Sequence, residues 1–391
     1  MTVLRVHPKD ARAVAQGHPW VYREAVAERP RGLRPGEIVD IGTADLGFLA
    51  RGVFDPAGGV AVRVWTRDAG ERIDAELVAR RAREADEVRR RLGIPQRTDA
   101  YRVVHGEGDR LPGVLVDRWG DYLSVTLQGD ALRRHERMIL EGITAALPAK
   151  GVYLRDDDAS RLVAGKPCPD EIEVREPTCR LLVRIAAPGK PGLFTDMREV
   201  RVALAPLTHG RTFLNLFAHT GAFSAAAAVA GATEIVSVDL SRPYLETARR
   251  NVDLNAAGAP HETVAGDVFE VLRRFASDGR RFDVIVADPP TFSSSKTSGS
   301  FNVKDDYRSL ARASLRTLVP GGLLVAATNF RGIDTDAFLR LLHDAAEMER
   351  ASLRVLQVMG QGADHPSLAM VPETRHLHVA FVTAWPLEAS E

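Results

Sequence analysis

Cysteine is almost absent from this chain. Of 391 residues only Cys168 and Cys179 carry thiols. Two thiols with no further Cys and no neighbouring His pair build neither a disulfide framework nor a zinc site, so no metal is expected. Long apolar runs are lacking too. No stretch reaches the ~20 residues that span a bilayer, and the Ala-rich segment 222–232 is too short and too weakly hydrophobic. Nothing near Met1 has the apolar core of a secretory signal. The expectation is a cytoplasmic protein with no membrane contact. An excess of charge of one sign is also missing, since 52 Lys and Arg balance 52 Asp and Glu. Overall charge therefore does not mark a nucleic-acid binder, although a local basic face is compatible with neutrality.

What is present falls into three segments, and the expected domains are 1–70, 71–190 and 191–391. In the first, runs at 36–42, 47–54 and 60–65 alternate apolar and polar residues and are separated by Gly and Pro. They predict short strands of a small β-barrel. A helix over 74–92 has apolar residues at spacings of three and four. Its arginines alternate with Glu and Asp, which reads as a solvated face more than as an RNA contact. The second segment has strand-like runs at 114–117, 122–127, 151–154 and 179–185 around a helix over 131–147, the pattern of a small α+β module.

The third segment alternates strands at 212–217, 234–239, 263–265, 282–288 and 322–327 with helical stretches. This predicts a doubly wound, mostly parallel α/β sheet, whose ligands bind at the carboxyl ends of its strands. After the first strand comes Phe217-Ala-His-Thr-Gly221, where a glycine at the turn permits close backbone approach to a ligand. A plain turn has the same appearance. Asp239 ends the second strand, where a carboxylate can accept from ribose hydroxyls. The missing glycines of a G-x-G-x-x-G turn argue against a pyrophosphate and suit an amino-acid portion. Asp267 after the third strand can accept from an adenine amine, with Val268 and Phe269 beside the ring, or can simply cap the next helix. The fourth strand ends in Asp288-Pro-Pro-Thr-Phe292. Pro289 and Pro290 fix the chain direction and lack N–H donors, and Phe292 can stack on a base.

Phe217-x-x-Thr-Gly221, Val238-Asp-Leu-Ser241, Asn251-x-x-x-Asn255, Asp267 and Asp288-Pro-Pro-Thr-Phe-Ser293 together resemble class I methyltransferases that use S-adenosylmethionine (SAM) on RNA. The resemblance is to the 23S rRNA group containing RlmI and the C-terminal half of RlmKL. It extends over the whole chain through His18-Pro-Trp20, His105-Gly-Glu-Gly-Asp109, Gly192-Leu-Phe-Thr-Asp196 and Asp364-His-Pro366. It implies an N-terminal PUA-like RNA-binding barrel, an α+β middle module and a Rossmann-like methyltransferase domain. SAM is the implied donor, 23S rRNA or its large-subunit precursor the implied partner, and a homodimer the implied assembly. Carried onto this sequence, the cofactor site comprises Asn215, Phe217, Thr220, Gly221, Asp239, Leu240, Ser241, Asp267, Val268 and Asp288. Arg198 either pairs with the methionine carboxylate or forms a structural ion pair.

The acceptor atom is a separate question. Cytosine C5 requires a Cys thiolate to add at C6, and in the RlmI branch that Cys follows the fifth strand. The matching position here is Asn329, and neither cysteine lies in the motif. Guanine N7 has an in-plane lone pair and no proton to remove, so placement in line with the methyl suffices. Asn215-Leu-Phe217, Asp239-Leu-Ser-Arg242 with Tyr244-Leu-Glu246, Asp288-Pro-Pro-Thr-Phe-Ser-x-Ser-Lys296 and the Asn329 region with Arg331-Gly332 resemble the RlmK half, which forms 7-methylguanine. In this reading Asp288 orients the base, Pro289 and Pro290 shape its slot, Phe292 stacks on it and Asn329 bonds its edge. Lys296 belongs either to a lid that contacts phosphate or to a plain loop. The alternatives are cytosine-5 methylation, a substrate other than RNA, or a non-catalytic RNA-binding factor.

Overall fold

The computed structural model describes residues 2–28, 32–43, 47–156, 158–290, 292–295 and 299–387, with side chains except at 292–295 and 299–305. Among these residues no helix is long and apolar enough to cross a membrane. The chain divides into two compact units. One comprises Met1–Ile172, Arg184–Pro191 and Ala363–Thr374, the other Glu173–Val183, Gly192–Gly362 and Arg375–Glu391.

The first unit holds two sheets. A six-stranded sheet contains the expected strands Ile38–Thr43, Gly47–Phe54 and Val60–Thr66, joined by Thr2–Val6, Trp20–Tyr22 and Val26–Glu28. Leu4, Val39, Ile41, Ala50, Val62 and Val64 form its core. A five-stranded sheet runs in the order Ser160–Gly165, Gly151–Arg155, Tyr122–Leu127, Val114–Trp119 and Ala100–His105. Helices Ala75–Arg91 and Glu136–Ala146 pack with it through Leu77, Val78, Ile139 and Ile143. Asp74 caps the first of these helices, accepting from Leu77 N at 3.0 Å. That helix is not solvated all round. Arg89 is wholly buried, holding Asp109 through two bonds of 2.6 and 2.8 Å and the Asp364 carbonyl at 2.7 Å. Two of the segments that carry the family resemblance, 105–109 and 364–366, thus meet around one buried guanidinium.

The second unit is built on a seven-stranded sheet. Its strands are β1 (Thr212–Leu216), β2 (Glu234–Asp239), β3 (His261–Ala265), β4 (Phe282–Ala287), β5 (Leu318–Thr328), β6 (Ala351–Met359) and β7 (His378–Pro386). Their order is β3-β2-β1-β4-β5-β7-β6, with the first five parallel and β7 antiparallel to both neighbours. Helices α1 (Ala222–Val229), α2 (Arg242–Asn255), α3 (Val268–Ser277), α4 (Val303–Arg316) and α5 (Thr335–Met348) connect the strands. Leu214, Leu216, Val236, Val238, Ile285 and Leu324 are fully or almost fully buried in its core, as expected of parallel strands covered on both faces. The run 179–185, expected in the middle module, instead supplies Arg180–Val183, which pairs with Ile172–Arg175 and docks on α2. Asn255 accepts from Arg180 N at 2.8 Å and donates to Arg180 O at 2.7 Å, and Asn251 accepts from Leu182 N at 2.9 Å. The two asparagines of the family motif therefore hold backbone.

Candidate active site

Seen from the sequence, the turn after β1 holds one glycine. In the structure it alternates left-handed residues, with φ of 56° at Phe217, 49° at His219 and 74° at Gly221. Phe217 and His219 occupy a backbone region that non-glycine residues seldom adopt. Neighbouring bonds hold it: Ala218 N donates to Val238 O at 2.9 Å, His219 N to Asp239 Oδ2 at 2.8 Å and Gly221 N to Ala218 O at 2.8 Å. Gly221 lies off the cavity wall, and a Cβ there would stand 2.6 Å from the Cβ of Ala248 on α2. Its φ and its packing against α2 both require glycine there. Gly221→Ala is expected to lower stability by about 2–4 kcal/mol, from left-handed strain and overpacking together. A lower urea midpoint would show this, and an unchanged midpoint would contradict it.

The carboxyl ends of the strands surround a cavity of about 700 Å³. Asn215, Phe217, Thr220, Asp239, Leu240, Asp267, Val268, Asp288, Pro289, Pro290 and Asn329 all line it. Ser241 stands behind the wall, capping α2 through Tyr244 N at 3.3 Å and donating its own N–H to Asp239 Oδ1 at 2.8 Å. Asp239 thus holds one backbone N–H on each oxygen, and burial raises its pKa. Asp267 caps α3 through Phe269 N (3.0 Å) and Glu270 N (3.2 Å), one of the two roles read from the sequence, and it also lines the cavity. Asn215 donates to Ser224 at 2.9 Å, at the head of a buried chain that continues through Ser237 to His261. Thr220 donates to the Gly192 carbonyl and accepts from Asn251 at 2.8 Å.

Asp288 follows β4. Burial first, and then the nearby Asp196, push its carboxyl up to about 7. It retains some accessible surface and lines the cavity. Tyr307 on α4 donates to the Ala287 carbonyl at 3.2 Å, anchoring the chain just before Asp288. The backbone of Phe292 lies in the strand Phe292–Ser295, which pairs with Gly299–Asn302. The side chain of Phe292, and Lys296 altogether, lie outside the described residues.

Arg198 is buried but does not line the cavity, and its Nε lies 3.3 Å from Glu199. Arg201, one turn further, does. Two bonds of 2.8 and 2.7 Å tie Arg201 to the buried Glu176, and a third of 2.9 Å ties it to the Phe194 carbonyl. Sequence reasoning also left out Phe194, Asp196, His219, Tyr244 and Asp306, all in the wall. Phe194, Asp196, His219 and Tyr244 lay inside quoted motifs, whereas Asp306 had no signal. His376 holds Asp196 through Nε2 at 3.0 Å.

Residues 132–375 match the model of S-adenosylmethionine-dependent methyltransferases, and residues 4–67 match that of PUA-like domains. The chain belongs to the S-adenosylmethionine-dependent methyltransferase family. Among the relatives of this methyltransferase is the ribosomal RNA large subunit methyltransferase I of Cronobacter sakazakii, 33% identical over 94% of this chain and 95% of that protein. The protein of the same name from Erwinia tasmaniensis is 31% identical over 96% and 98%. In fold, the methyltransferase resembles the solved structure of SMU.776 complexed with SAH, with a TM-score of 0.90, 22% identity and coverage of 98% and 100%. The cavity fits the family's cofactor on its own evidence. Its volume is that of a small-molecule site, and its carboxylates suit a ligand that carries an ammonium and a sulfonium.

Proposed function

We propose that this methyltransferase modifies a base of large-subunit (23S) rRNA, at guanine N7. The observation that carries the choice of atom is the placement of the two thiols. Cys168 lies in the first unit, and Cys179 is buried off the cavity wall with its thiol pushed up to about 11, so it stays protonated. Addition of a thiolate to cytosine C6 has no nucleophile here. Asn329 stands in the wall just after β5 instead. N7 needs alignment and no base. The rRNA substrate is read from the names of the relatives, and the PUA-like match to 4–67 supports RNA contacts from the barrel of residues 1–70, with the module of residues 71–190 adding to them.

In this reading Asp239 accepts from the ribose hydroxyls, Asp267 from the adenine amine, and Val268 and Phe269 pack on the adenine ring. The bound cofactor supplies an electrophilic methyl group. Asp288 accepts from N–H groups on the guanine edge, the Pro289–Pro290 backbone shapes the slot, and Asn329 bonds the same base. Asn329→Ala is expected to lower kcat/KM about tenfold, the value of one hydrogen bond, with cofactor affinity unchanged. Full activity in that variant would remove Asn329 from the site.

The decisive experiment is nucleoside mass spectrometry of 23S rRNA from wild-type and deletion strains, followed by treatment of the unmethylated RNA with purified protein and labelled SAM. Loss and restoration of 7-methylguanosine is the expected result. Loss of 5-methylcytidine instead would overturn the choice of atom, and no change in any rRNA nucleoside would overturn the substrate.

A further inference from the structure

Among the described residues, the cations that the wall offers the cofactor's carboxylate are two arginines. The backbone N–H groups of Ala218, His219 and Gly221 are bonded within the protein. Asp196, Asp239, Asp267, Glu270, Asp288 and Asp306 line the cavity, a wall that attracts the ammonium and the sulfonium but opposes a carboxylate. Of the two arginines in the wall, Arg201 is clasped by Glu176, and Arg273 stands on α3, beyond the Asp267 cap at the adenine end.

His219 lies on the β1 turn, where its backbone N–H donates to Asp239. Its ring is edge-on to Tyr244, with centroids 4.3 Å apart, and tilted against Phe194 at 5.2 Å. Its Nε2 is buried with no hydrogen-bond partner among the described residues, a state that buried polar atoms rarely keep. Burial pushes the imidazole down to about 4. At neutral pH the ring thus keeps a single N–H and places no second cation beside a sulfonium.

We propose that His219 is a cofactor-binding residue whose ring N–H donates to the carboxylate of the cofactor's amino-acid half. The proposal rests on the reading of this cavity as the cofactor site. It makes His219 a determinant of affinity for the amino-acid half alone, separate from Asp239, which serves the ribose.

Calorimetric binding to the full chain tests it with two ligands. S-adenosylhomocysteine carries the carboxylate, and 5′-methylthioadenosine has the same adenosine but no amino-acid group. His219→Phe keeps a ring between Phe194 and Tyr244, and Phe217 shows that phenylalanine adopts this backbone region here. The variant should bind S-adenosylhomocysteine about ten- to a hundredfold more weakly, the range for a hydrogen bond to a charged group. Its affinity for 5′-methylthioadenosine should stay within roughly twofold of wild type. His219→Asn, which tolerates left-handed φ and restores an N–H, should recover part of the loss. Unchanged affinity for S-adenosylhomocysteine in His219→Phe, or equal losses for both ligands, would overturn the proposal. Asp239→Ala separates the two levels. It should weaken both ligands, and wild-type binding of both in that variant would overturn the reading of the cavity itself.

Discussion

Asp288→Asn is expected to slow methyl transfer on the order of a hundred- to a thousandfold while S-adenosylhomocysteine still binds. Mutational losses of this size follow the removal of one preorganised electrostatic group from a closed site. The physical basis lies in the protonation state. Burial and the neighbouring Asp196 hold the Asp288 carboxyl at about 7, so it is largely protonated at pH 6 and largely ionised at pH 8. Only the ionised form accepts two N–H bonds from a guanine edge. The wild-type kcat/KM should therefore rise with pH through about 7 and level off above it. The asparagine variant should show a low rate without this rise. A wild-type profile that falls across the same range would assign the proton to Asp288 in the active state and reverse its role from acceptor to donor.

Arg201→Ala is expected to cost about 3–5 kcal/mol, because it strands the Glu176 carboxylate in the core. The side chains are 2% and 0% exposed, so both charges have given up their water in the folded protein. At about 2–4 °C per kcal/mol for a domain of this size, the melting temperature should fall on the order of 10 °C. Replacing both residues, as in Glu176→Leu with Arg201→Met, should recover most of that loss, since the desolvation cost of both charges disappears together. By contrast, removing the exposed pair Arg91–Glu87 should change stability by less than about 0.5 kcal/mol. A small effect of Arg201→Ala would mean that water reaches Glu176.

The first five strands of the catalytic sheet were legible as strand-like runs that alternate with helical stretches, and β2 and β4 are apolar runs that end at Asp239 and Asp288. β6 was not, being an outer strand whose residues 354–358 are exposed and whose pattern is mixed. β7 has the strand signal in full, with Val379, Ala380, Phe381 and Val382 buried. Alternation of strand and helix gives no reason to place a late antiparallel strand inside the sheet. The wall of the site was largely readable, since Asp239, Asp267 and Asp288 sit where strand ends put them. The β1 turn was not. Left-handed turns announce themselves through Gly, Asn or Asp, and here Phe217 and His219 take those conformations. Nor does sequence separate Arg198 from Arg201. Both are buried on one short helix, and the choice of cavity-lining residue depends on Glu176, far away in the chain.

The position of β7 also bears on how the chain is made. β6 pairs only with β7, and β7 joins it to β5. During synthesis, residues 351–359 emerge with no strand to pair with until 378–386 have left the ribosome. Through that interval β5 and β6 each present an open edge, the kind of surface that draws nascent chains into wrong partnerships. Completion of the catalytic sheet thus waits on β7, which closes the edge of β5 and gives β6 its partner at once.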